Sequence, residues 1–403
     1  MRAALCSLTL LMLSLKLVLA QKPPQLTIRR LDGTSISIAE AEDFARKTLA
    51  TTQVTGAQIV VINEGRVVWS AAFGLRKHQP KTPMLPDTTT WAASITKAVF
   101  ATYVMQLVER RELSLDLPVA DQLPQPLNAY KAYGEIASEV VNDPRWHEVT
   151  PRMLLAHTGG LLNFVALEPD KKMHLHFKPG TQFCYSNEGI NLIQFLVEQK
   201  LGQPLERLMQ DAIFSPLHMS RTGLIFRTDF AANIADRYGA KEQFLSETRR
   251  LSARAAGSMT TSADDLGHFA CALLNGKLLK PATRKAMLSP FIQIRTRSQF
   301  PFRPDAPEGK EGQAVGLAYG MGWGLLTKTR FGPAFFKEGH GEGAQNYLIL
   351  FEKSKSGMIL LTNSDNGELA FRPLLEKILG DTVTPWEWEG YTPDLILENR
   401  KFQ

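Results

Sequence analysis

Several features that define large classes of proteins are missing from the 403-residue sequence. It contains only 3 cysteines, which are too few for a disulfide framework. It has no run of Lys and Arg with interspersed aromatic residues, so we expect no nucleic-acid partner. It also lacks any repeat with the period of a solenoid or a propeller. What remains is an ordinary globular composition, with 44% hydrophobic and 21% charged residues.

The chain has no long uninterrupted apolar run either, although residues 3–20 come close to one. They follow a basic start, are mostly apolar, and end in Val18-Leu19-Ala20, a small-residue cleavage pattern. We therefore expect a signal peptide over residues 1–20 and a secreted or periplasmic protein. Lys16 interrupts the run, so a stable membrane anchor is the weaker interpretation.

The charge and the remaining cysteines are uninformative about partners. A formal net charge of +6 is mild for this length, and basic residues are interleaved with acidic ones. Cys184 and Cys271 could pair in an oxidising compartment, but two free, buried thiols are the expected state. The sequence leaves the oligomeric state open.

Both ends of the chain combine helix with β-strand patterns. Periodicity predicts a helix over 37–52, a hairpin of strands 57–63 and 67–73, strands over 347–352 and 358–363, and a helix over 368–379. Between them the periodic segments are mainly helical, over 98–110, 191–200 and 263–274.

These patterns predict an α+β fold, in which an antiparallel sheet is flanked by N- and C-terminal helices and a mainly helical domain is inserted. The predicted sheet domain is discontinuous and comprises 21–93 and 290–385. The predicted helical domain comprises 94–289, and 386–403 is a C-terminal tail. We expect a cleft between the two domains, where ligand sites commonly form.

Ser94-Ile95-Thr96-Lys97 lies where a loop turns into a strongly apolar helix. Residues i and i+3 share a helix face, so the Lys97 amine can reach the Ser94 hydroxyl. A lysine in a dry site can lose its proton, because desolvation disfavours the charged form, and it can then activate the serine. Ser-x-x-Lys alone is a weak signal, and a solvated serine with a surface lysine is the alternative. The apolar surroundings argue against that alternative.

Tyr185-Ser186-Asn187 is the sole Tyr-x-Asn in the sequence and precedes a predicted helix. In an extended stretch, Tyr185 and Asn187 point the same way and can both face the cleft. A phenol can relay a proton, and an amide can hold a lysine and a substrate carbonyl. Taken alone, the pair could be a buried tyrosine and a helix-capping asparagine.

His340 lies in the glycine-rich segment 338–343, just before a predicted strand. The glycines allow a ligand to approach the backbone, and the Gly343 N–H could be an oxyanion donor. Taken alone, the segment is a glycine-rich turn with an exposed histidine.

Taken together, these three elements resemble the motifs of the serine β-lactamase and penicillin-binding protein superfamily in order and separation. They most resemble its class C-like branch, which also contains DD-peptidases, D-aminopeptidases and family VIII carboxylesterases. The resemblance covers roughly residues 40–380. Flanking segments also look like this family, namely Leu154-Leu155-Ala156-His157-Thr158-Gly159-Gly160-Leu161, Lys178-Pro179-Gly180-Thr181, Ala256-Gly257-Ser258-Met259, Tyr319-Gly320-Met321-Gly322-Trp323-Gly324 and Leu361-Thr362-Asn363-Ser364.

By that resemblance, Ser94 is expected to be the acylated nucleophile, with Lys97 and Tyr185 as the general base pair. Asn187 is expected to bind the substrate and Lys97. The backbone N–H groups of Ser94 and Gly343 are expected to form the oxyanion hole. The resemblance implies a small-molecule or peptide substrate, no cofactor and no metal.

The remaining histidines are expected to have other roles. His157 matches a structural position of the family. His174 and His176 are more simply loop residues than a metal pair, because no third ligand lies near them in the sequence.

The third motif departs from the family, since β-lactamases have Lys-Thr-Gly where this chain has His340-Gly341-Glu342. These three residues are expected to contact the substrate. A histidine is mostly neutral at pH 7, so the grip on a substrate carboxylate is expected to be weak. Glu342 would repel an anionic substrate if it shares a strand face with His340, or it turns to solvent at a bulge.

We therefore expect an ester, amide or D-amino-acid peptide hydrolase, with a class C-type β-lactamase as the alternative within the same functional class. A penicillin-recognising binding module without turnover is the alternative from another functional class. It has no physical need for Ser94, Lys97 and Tyr185 together. A Ser-His-Asp hydrolase is disfavoured because the sequence has no Gly-x-Ser-x-Gly elbow.

Overall fold

The structure is a computed structural model that describes residues 26–299 and 304–399; the predicted signal peptide, residues 1–20, lies outside these ranges. Its strands are β1 (Thr27–Arg29), β2 (Ser35–Ser37), β3 (Gly56–Asn63), β4 (Arg66–Lys77), β5 (Thr82–Pro83), β6 (Thr90–Trp91), β7 (Asp236–Tyr238), β8 (Phe244–Glu247), β9 (Thr260–Thr261), β10 (Ile292–Gln293), β11 (Leu317–Tyr319), β12 (Gly324–Leu326), β13 (Ala334–Gly341), β14 (Ala344–Phe351) and β15 (Ser356–Thr362). Its α-helices are α1 (Ile38–Thr51), α2 (Ile95–Glu109), α3 (Val119–Gln122), α4 (Pro151–Leu155), α5 (Asn187–Leu201), α6 (Leu205–Met209), α7 (Ala263–Leu274), α8 (Pro281–Met287), α9 (Gly367–Leu374), α10 (Trp386–Glu389) and α11 (Pro393–Asn399).

A nine-stranded antiparallel sheet forms the centre of the molecule, in the order β10-β11-β12-β13-β14-β15-β3-β4-β5. Both faces of its middle strands are covered by helices. Ile59 and Val61 of β3 belong to the core beneath α1 and α9, whereas Val60 and Ile62 belong to the core beneath α2 and α7. Burial on both faces explains why residues 59–62 of β3 form a continuous apolar run, and each such side chain contributes about 1.5–3 kcal/mol.

The predicted α+β class is confirmed, because one antiparallel sheet is built from both ends of the chain and the middle is mainly helical. The predicted first hairpin is also confirmed. Glu64 and Gly65, with φ of 51° and 72°, form its two-residue turn. The helix predicted over 37–52 is α1, and Ser37 caps it in a reciprocal capping box with Glu40. The proposed domain boundaries stay a prediction.

One segment was left open by the sequence, and another differs from the prediction. Residues 338–341, for which a glycine-rich turn and a strand were both considered, are the end of strand β13, and only Glu342 and Gly343 form the turn before β14. The segment after residue 386, predicted as a tail, packs into the core on the α1 and α9 side, where Trp388 and Tyr391 are 1% and 3% exposed. Apolar aromatic residues there cover the sheet face that α9 leaves open.

Both Cys184 and Cys271 are free thiols, and Cys184 is buried. In the described ranges, no helix has the length and apolar character needed to cross a membrane.

Candidate active site

The chain turns sharply between β6 and α2, and Ser94 stands at this turn as the N-cap of α2. The preceding Ala93 has a left-handed backbone conformation with φ of 46°, which costs a non-glycine residue about 1–2 kcal/mol. Thr96 holds the turn: its hydroxyl donates to the Ala93 carbonyl and accepts from the Met259 N–H at 3.1 Å. The Ser94 hydroxyl does not cap the helix and is left for other contacts.

Lys97 is one helical turn further on and is fully buried. Its Nζ lies 2.8 Å from Ser94 Oγ and donates to the Ala256 carbonyl. Burial lowers the pKa of Lys97 well below its ordinary value; Lys337 lowers that pKa further, and Glu338 acts in the opposite direction. The predicted pair of nucleophile and base is thus brought together, and burial of the amine favours its neutral form.

Tyr185 completes the cluster from the loop before α5. It is 4% exposed, and the Nζ atoms of Lys97 and Lys337 lie 4.8 and 5.0 Å from its ring centroid. Burial raises the pKa of the Tyr185 phenol, while its hydrogen bonds with Ser94 and Lys337 oppose that rise. The phenol therefore keeps its proton at neutral pH and touches the nucleophile.

The ring of His157 packs against the ring of Tyr185. The two rings lie 4.2 Å apart, and His157 Nδ1 accepts from the Ser186 N–H at 3.1 Å. Burial lowers the pKa of His157 well below its ordinary value, so its imidazole is neutral. Tyr319 packs on the other edge of His157, at 4.9 Å. These contacts give His157 a supporting role.

Lys337 on β13 is a member of the cluster that the sequence analysis missed. Its side chain is fully buried, and its Nζ contacts the carboxylate of Glu338, which is 3% exposed. Burial works against both charges, but their mutual attraction outweighs it, raising the pKa of Lys337 and lowering that of Glu338. The two groups form an ionised pair with no net charge. The signal was present, because Lys337-Glu338-Gly339 has the Lys-x-Gly pattern three residues before the predicted motif.

The structure does not bring His340 to Tyr185. Alternate residues of β13 point to opposite faces. Gly339 lies on the face toward α2, so closely that a Cβ there would lie 2.3 Å from the Ala92 carbonyl oxygen. His340 lies on the other face, where its Nδ1 is 2.7 Å from Glu368 and its Nε2 contacts the Tyr391 hydroxyl.

The other residues of the predicted third motif lie at the tip of the hairpin. A Cβ on Gly341 would lie 2.1 Å from the Trp91 ring, so this glycine lets the indole pack on the strand. Glu342 is exposed in the turn. The solvent-facing alternative for Glu342 is therefore the observed one.

One predicted oxyanion donor is available and the other is occupied. The Ser94 N–H has no acceptor among the described residues. The Gly343 N–H donates to Asp365 Oδ1 at 2.5 Å. β12 pairs only with residues 334–336 of β13, so no strand formed by the described residues covers that edge of β13 from Lys337 to Gly341. This open edge is where a second backbone donor can face the Ser94 turn.

Asn187 begins α5, and its N–H donates to Asn163. Its Oδ1 is buried and accepts no hydrogen bond within the described ranges. Among the described residues, no hydrogen bond joins Asn187 to Lys97. A buried acceptor without a donor costs about 1–3 kcal/mol, so this oxygen is suited to a donor on a ligand.

A cavity of about 490 Å³ lies next to the aromatic group that supports Tyr185. It is lined by residues that include Phe183, Arg295 and Glu308. Phe183 links the cavity to the site, because its ring lies 5.3 Å from that of Tyr319. The cavity can accept a substrate group on the Tyr185 side.

The two other histidines considered in the sequence analysis are engaged elsewhere. His174 pairs with Asp170 at 2.9 Å and His176 pairs with Glu168 at 2.8 Å. Over the described residues, no three His, Cys, Asp or Glu side chains are grouped so that they could hold a metal ion.

Comparisons with known proteins identify the family of this chain. A family model described as Beta-lactamase matches residues 41–379. Esterase EstB of Burkholderia gladioli is 28% identical over 232 residues, which cover 50% of this chain and 56% of that protein. The chain spans 56% and 64% of the length of the first curated relatives that it matches.

Solved structures share the fold. An octameric penicillin-binding protein homologue from Pyrococcus abyssi superposes with a TM-score of 0.68 at 21% identity, covering 91% of this chain and 81% of that one. The D-alanine carboxypeptidase AmpC from Burkholderia cenocepacia superposes with a TM-score of 0.65 at 17% identity, covering 84% of this chain and 99% of that one. With the family match over most of its length, the chain belongs to the Beta-lactamase family of serine hydrolases.

Proposed function

We propose that this chain is an exported serine hydrolase that forms an acyl-enzyme on Ser94 and cleaves esters or amides, including D-amino-acid peptides. The observation that supports it most directly is the 2.8 Å separation of Ser94 Oγ and Lys97 Nζ, with the amine fully buried. Burial lowers the pKa of Lys97, which favours the neutral amine that a general base requires.

The proton transfers follow from the contacts. As Ser94 Oγ attacks the carbonyl carbon, Lys97 takes the hydroxyl proton and becomes an ammonium. The Ser94 N–H and a backbone N–H on the open edge of β13 stabilise the oxyanion. When the tetrahedral intermediate collapses, Tyr185 donates its proton to the leaving oxygen or nitrogen and recovers one from Lys97. A water molecule then attacks the acyl-enzyme with the same proton transfers. This step releases the acid product and regenerates the Ser94 hydroxyl.

The remaining predicted substrate contacts are divided as follows. We assign the Asn187 carbonyl oxygen to an N–H or O–H group of the substrate, because it is buried without a donor. We assign His340 a supporting role behind β13, where Glu368 and Tyr391 hold it. The substrate then contacts Lys337 and not His340.

The Lys337 pair also bears on the kind of substrate. A β-lactam or a C-terminal peptide has a carboxylate on its leaving group, which lies on the Tyr185 side. Lys337 is neutralised there by Glu338, so it attracts such a carboxylate weakly. This supports esters and amides whose leaving group has no carboxylate over β-lactams and over peptides cleaved at their C-terminal residue. The physical reason for this preference differs from the one inferred from the sequence. A lysine cation is present at this position, but Glu338 compensates its charge.

Covalent labelling tests the proposed mechanism. We expect a fluorophosphonate to label the wild-type protein and not Ser94→Ala. The exposed Ser252→Ala serves as the matched control and should label normally. Labelling of Ser94→Ala at the wild-type rate would contradict the assignment of the nucleophile.

Steady-state assays with short-chain p-nitrophenyl esters, D-alanyl peptides and nitrocefin test the substrate class. We expect esters to be hydrolysed fastest and nitrocefin slowest. Nitrocefin turnover far above that of every ester and peptide would make the chain a β-lactamase. A fluorescent-penicillin adduct that never hydrolyses, seen by intact mass spectrometry, would favour the binding module.

The proposed export is tested on the full chain expressed with its N-terminal segment. Mass spectrometry of the exported protein should show Gln21 as its first residue, because the small-residue pattern ends at Ala20. Protein that stays in the cytoplasm with Met1 intact would contradict it.

A further inference from the structure

Two arginines stack on the indole of Trp91, three residues before the nucleophile. The guanidinium carbons of Arg237 and Arg250 lie 5.0 and 3.8 Å from the ring. The indole N–H of Trp91 donates to the Gly257 carbonyl at 2.6 Å, and Gly341 lies close against the ring. These two contacts fix the position of the ring. Three residues of chain span at most about 11 Å, so this cluster borders the Ser94 turn.

The two arginines differ in how their charges are compensated. Arg237 donates to the Glu342 carbonyl at 2.7 Å and faces the carboxylates of Glu342 and Asp365. The Arg250 guanidinium makes no hydrogen bond or ion pair with another residue in the ranges that the structure describes.

The charged groups acting on Arg250 are both cations, Arg237 and Arg254. Burial and then these two cations lower the pKa of Arg250 to about 10, so the guanidinium is still charged at neutral pH. A half-buried cation of this kind is costly until an anion meets it. The indole beneath it gives only partial compensation.

The position of the cluster along β13 indicates which part of a substrate it meets. Lys337 and Tyr185 stand at one end of the site, and Gly341 and Trp91 at the other. Four residues of strand separate Lys337 from Gly341, or about 13 Å. Because Tyr185 protonates the leaving group in the proposed mechanism, the leaving group lies at the first end. The acyl chain must then extend toward Trp91.

We propose that Arg250, stacked with Arg237 on Trp91, binds a carboxylate at the far end of the acyl chain of the substrate. This deepens the proposed function and rests on it. The preferred substrate class is therefore a mono-ester or mono-amide of a dicarboxylic acid. A guanidinium suits this role because its parallel N–H groups match the two oxygens of a carboxylate.

A matched pair of esters tests the proposal. Mono-p-nitrophenyl adipate has a free terminal carboxylate, and its methyl ester is neutral and of nearly equal length. The readout is the ratio of the two kcat/KM values. For the wild type we expect a ratio of about 10 or more, and Arg250→Gln should lower it about 10-fold, in the range of hydrogen bonds to charged groups. Arg250→Lys should retain part of the preference.

Arg249→Gln is the matched control. It removes the same charge from the adjacent residue, whose guanidinium is paired with Glu247 at 3.0 Å and stacks on Phe226 instead. Its ratio should equal that of the wild type. A wild-type ratio near 1, or an equal fall in both variants, would overturn the proposal, because general electrostatic attraction would then explain the preference.

A binding measurement separates this proposal from the proposed function. Calorimetry of monomethyl adipate with Ser94→Ala reports on the acyl end without turnover, and adding Arg250→Gln should weaken binding about 10-fold. Ester hydrolysis that depends on Ser94 without this loss would refute the Arg250 site alone. Hydrolysis that is independent of Ser94 would refute the proposed function, whereas the calorimetric loss would still support the Arg250 site.

Discussion

The Lys337–Glu338 pair allows the titration of Lys97 to be moved in either direction without touching Lys97. Lys337 lowers the pKa of Lys97, and Glu338 raises it. Glu338→Gln leaves the Lys337 cation unopposed, so activity should extend to lower pH. Lys337→Met leaves the Glu338 carboxylate unopposed, so activity should be confined to higher pH.

The size of the effect follows from the positions of the two amines. Both Nζ atoms lie within 5.0 Å of the centroid of the Tyr185 ring, so they are at most about 10 Å apart. Two unit charges 10 Å apart interact by about 1.7 kcal/mol at an effective dielectric constant of about 20. Lys337→Met removes this repulsion, so we expect it to raise the pKa of Lys97 and to move the acidic limb of the pH profile up by about one pH unit.

The rate of Ser94 labelling by a fluorophosphonate, measured from about pH 5 to 9, reports this limb, because labelling requires the nucleophile to be activated. The double variant Lys337→Met/Glu338→Gln removes both charges and should return the limb close to its wild-type position. Limbs that move in the same direction in both single variants, or that do not move, would show that Lys97 is not the titrating base.

The remaining predictions concern proton donation, core packing and pH-dependent stability. Tyr185→Phe should lower kcat for an alkyl ester about 100- to 10,000-fold, and less for a p-nitrophenyl ester, whose leaving group departs without a proton; equal losses on both esters would contradict this role. Trp388→Ala should lower the free energy of unfolding in urea by about 3–5 kcal/mol, whereas Leu251→Ala, at an 87% exposed residue, should change it by no more than about 0.5 kcal/mol. Burial opposes the charge of His340, but Glu368 outweighs it and raises the pKa of His340 above 6.5, so its stabilisation is present below pH 6.5 and is lost as pH rises through the folded-state pKa. His340→Phe should flatten this dependence in unfolding curves measured across that range, and an unchanged slope would refute it.

The elements predicted correctly are those whose burial can be deduced from local periodicity. Strand β3 has a continuous apolar run over residues 59–62 because both of its faces are covered, and α1 has one apolar stripe and a capping box. Strand β13 could not be predicted in this way. Lys337 and Glu338 interrupt its apolar pattern, and they are tolerated only because each neutralises the other in the folded protein.

The same limit explains which site residues were found. Ser94 and Lys97 meet within one helical turn, so spacing alone predicts their contact. The choice between Lys337 and His340 depends on strand register, since an odd shift moves a side chain to the opposite face. That register is fixed by the two-residue turn at Glu342 and by pairing with β14, and neither was predicted.

The two ends of the β13 segment differ in charge, and this difference has a consequence for selectivity. At the Tyr185 end, the cation of Lys337 is cancelled by Glu338. At the Trp91 end, Arg250 has no internal counterion in the described ranges and repels its cationic neighbours. A carboxylate gains little attraction from a compensated cation, whereas one that meets an uncompensated cation relieves an existing repulsion. The proposed hydrolase should therefore favour a negative charge on the acyl side of the scissile bond over one on the leaving-group side.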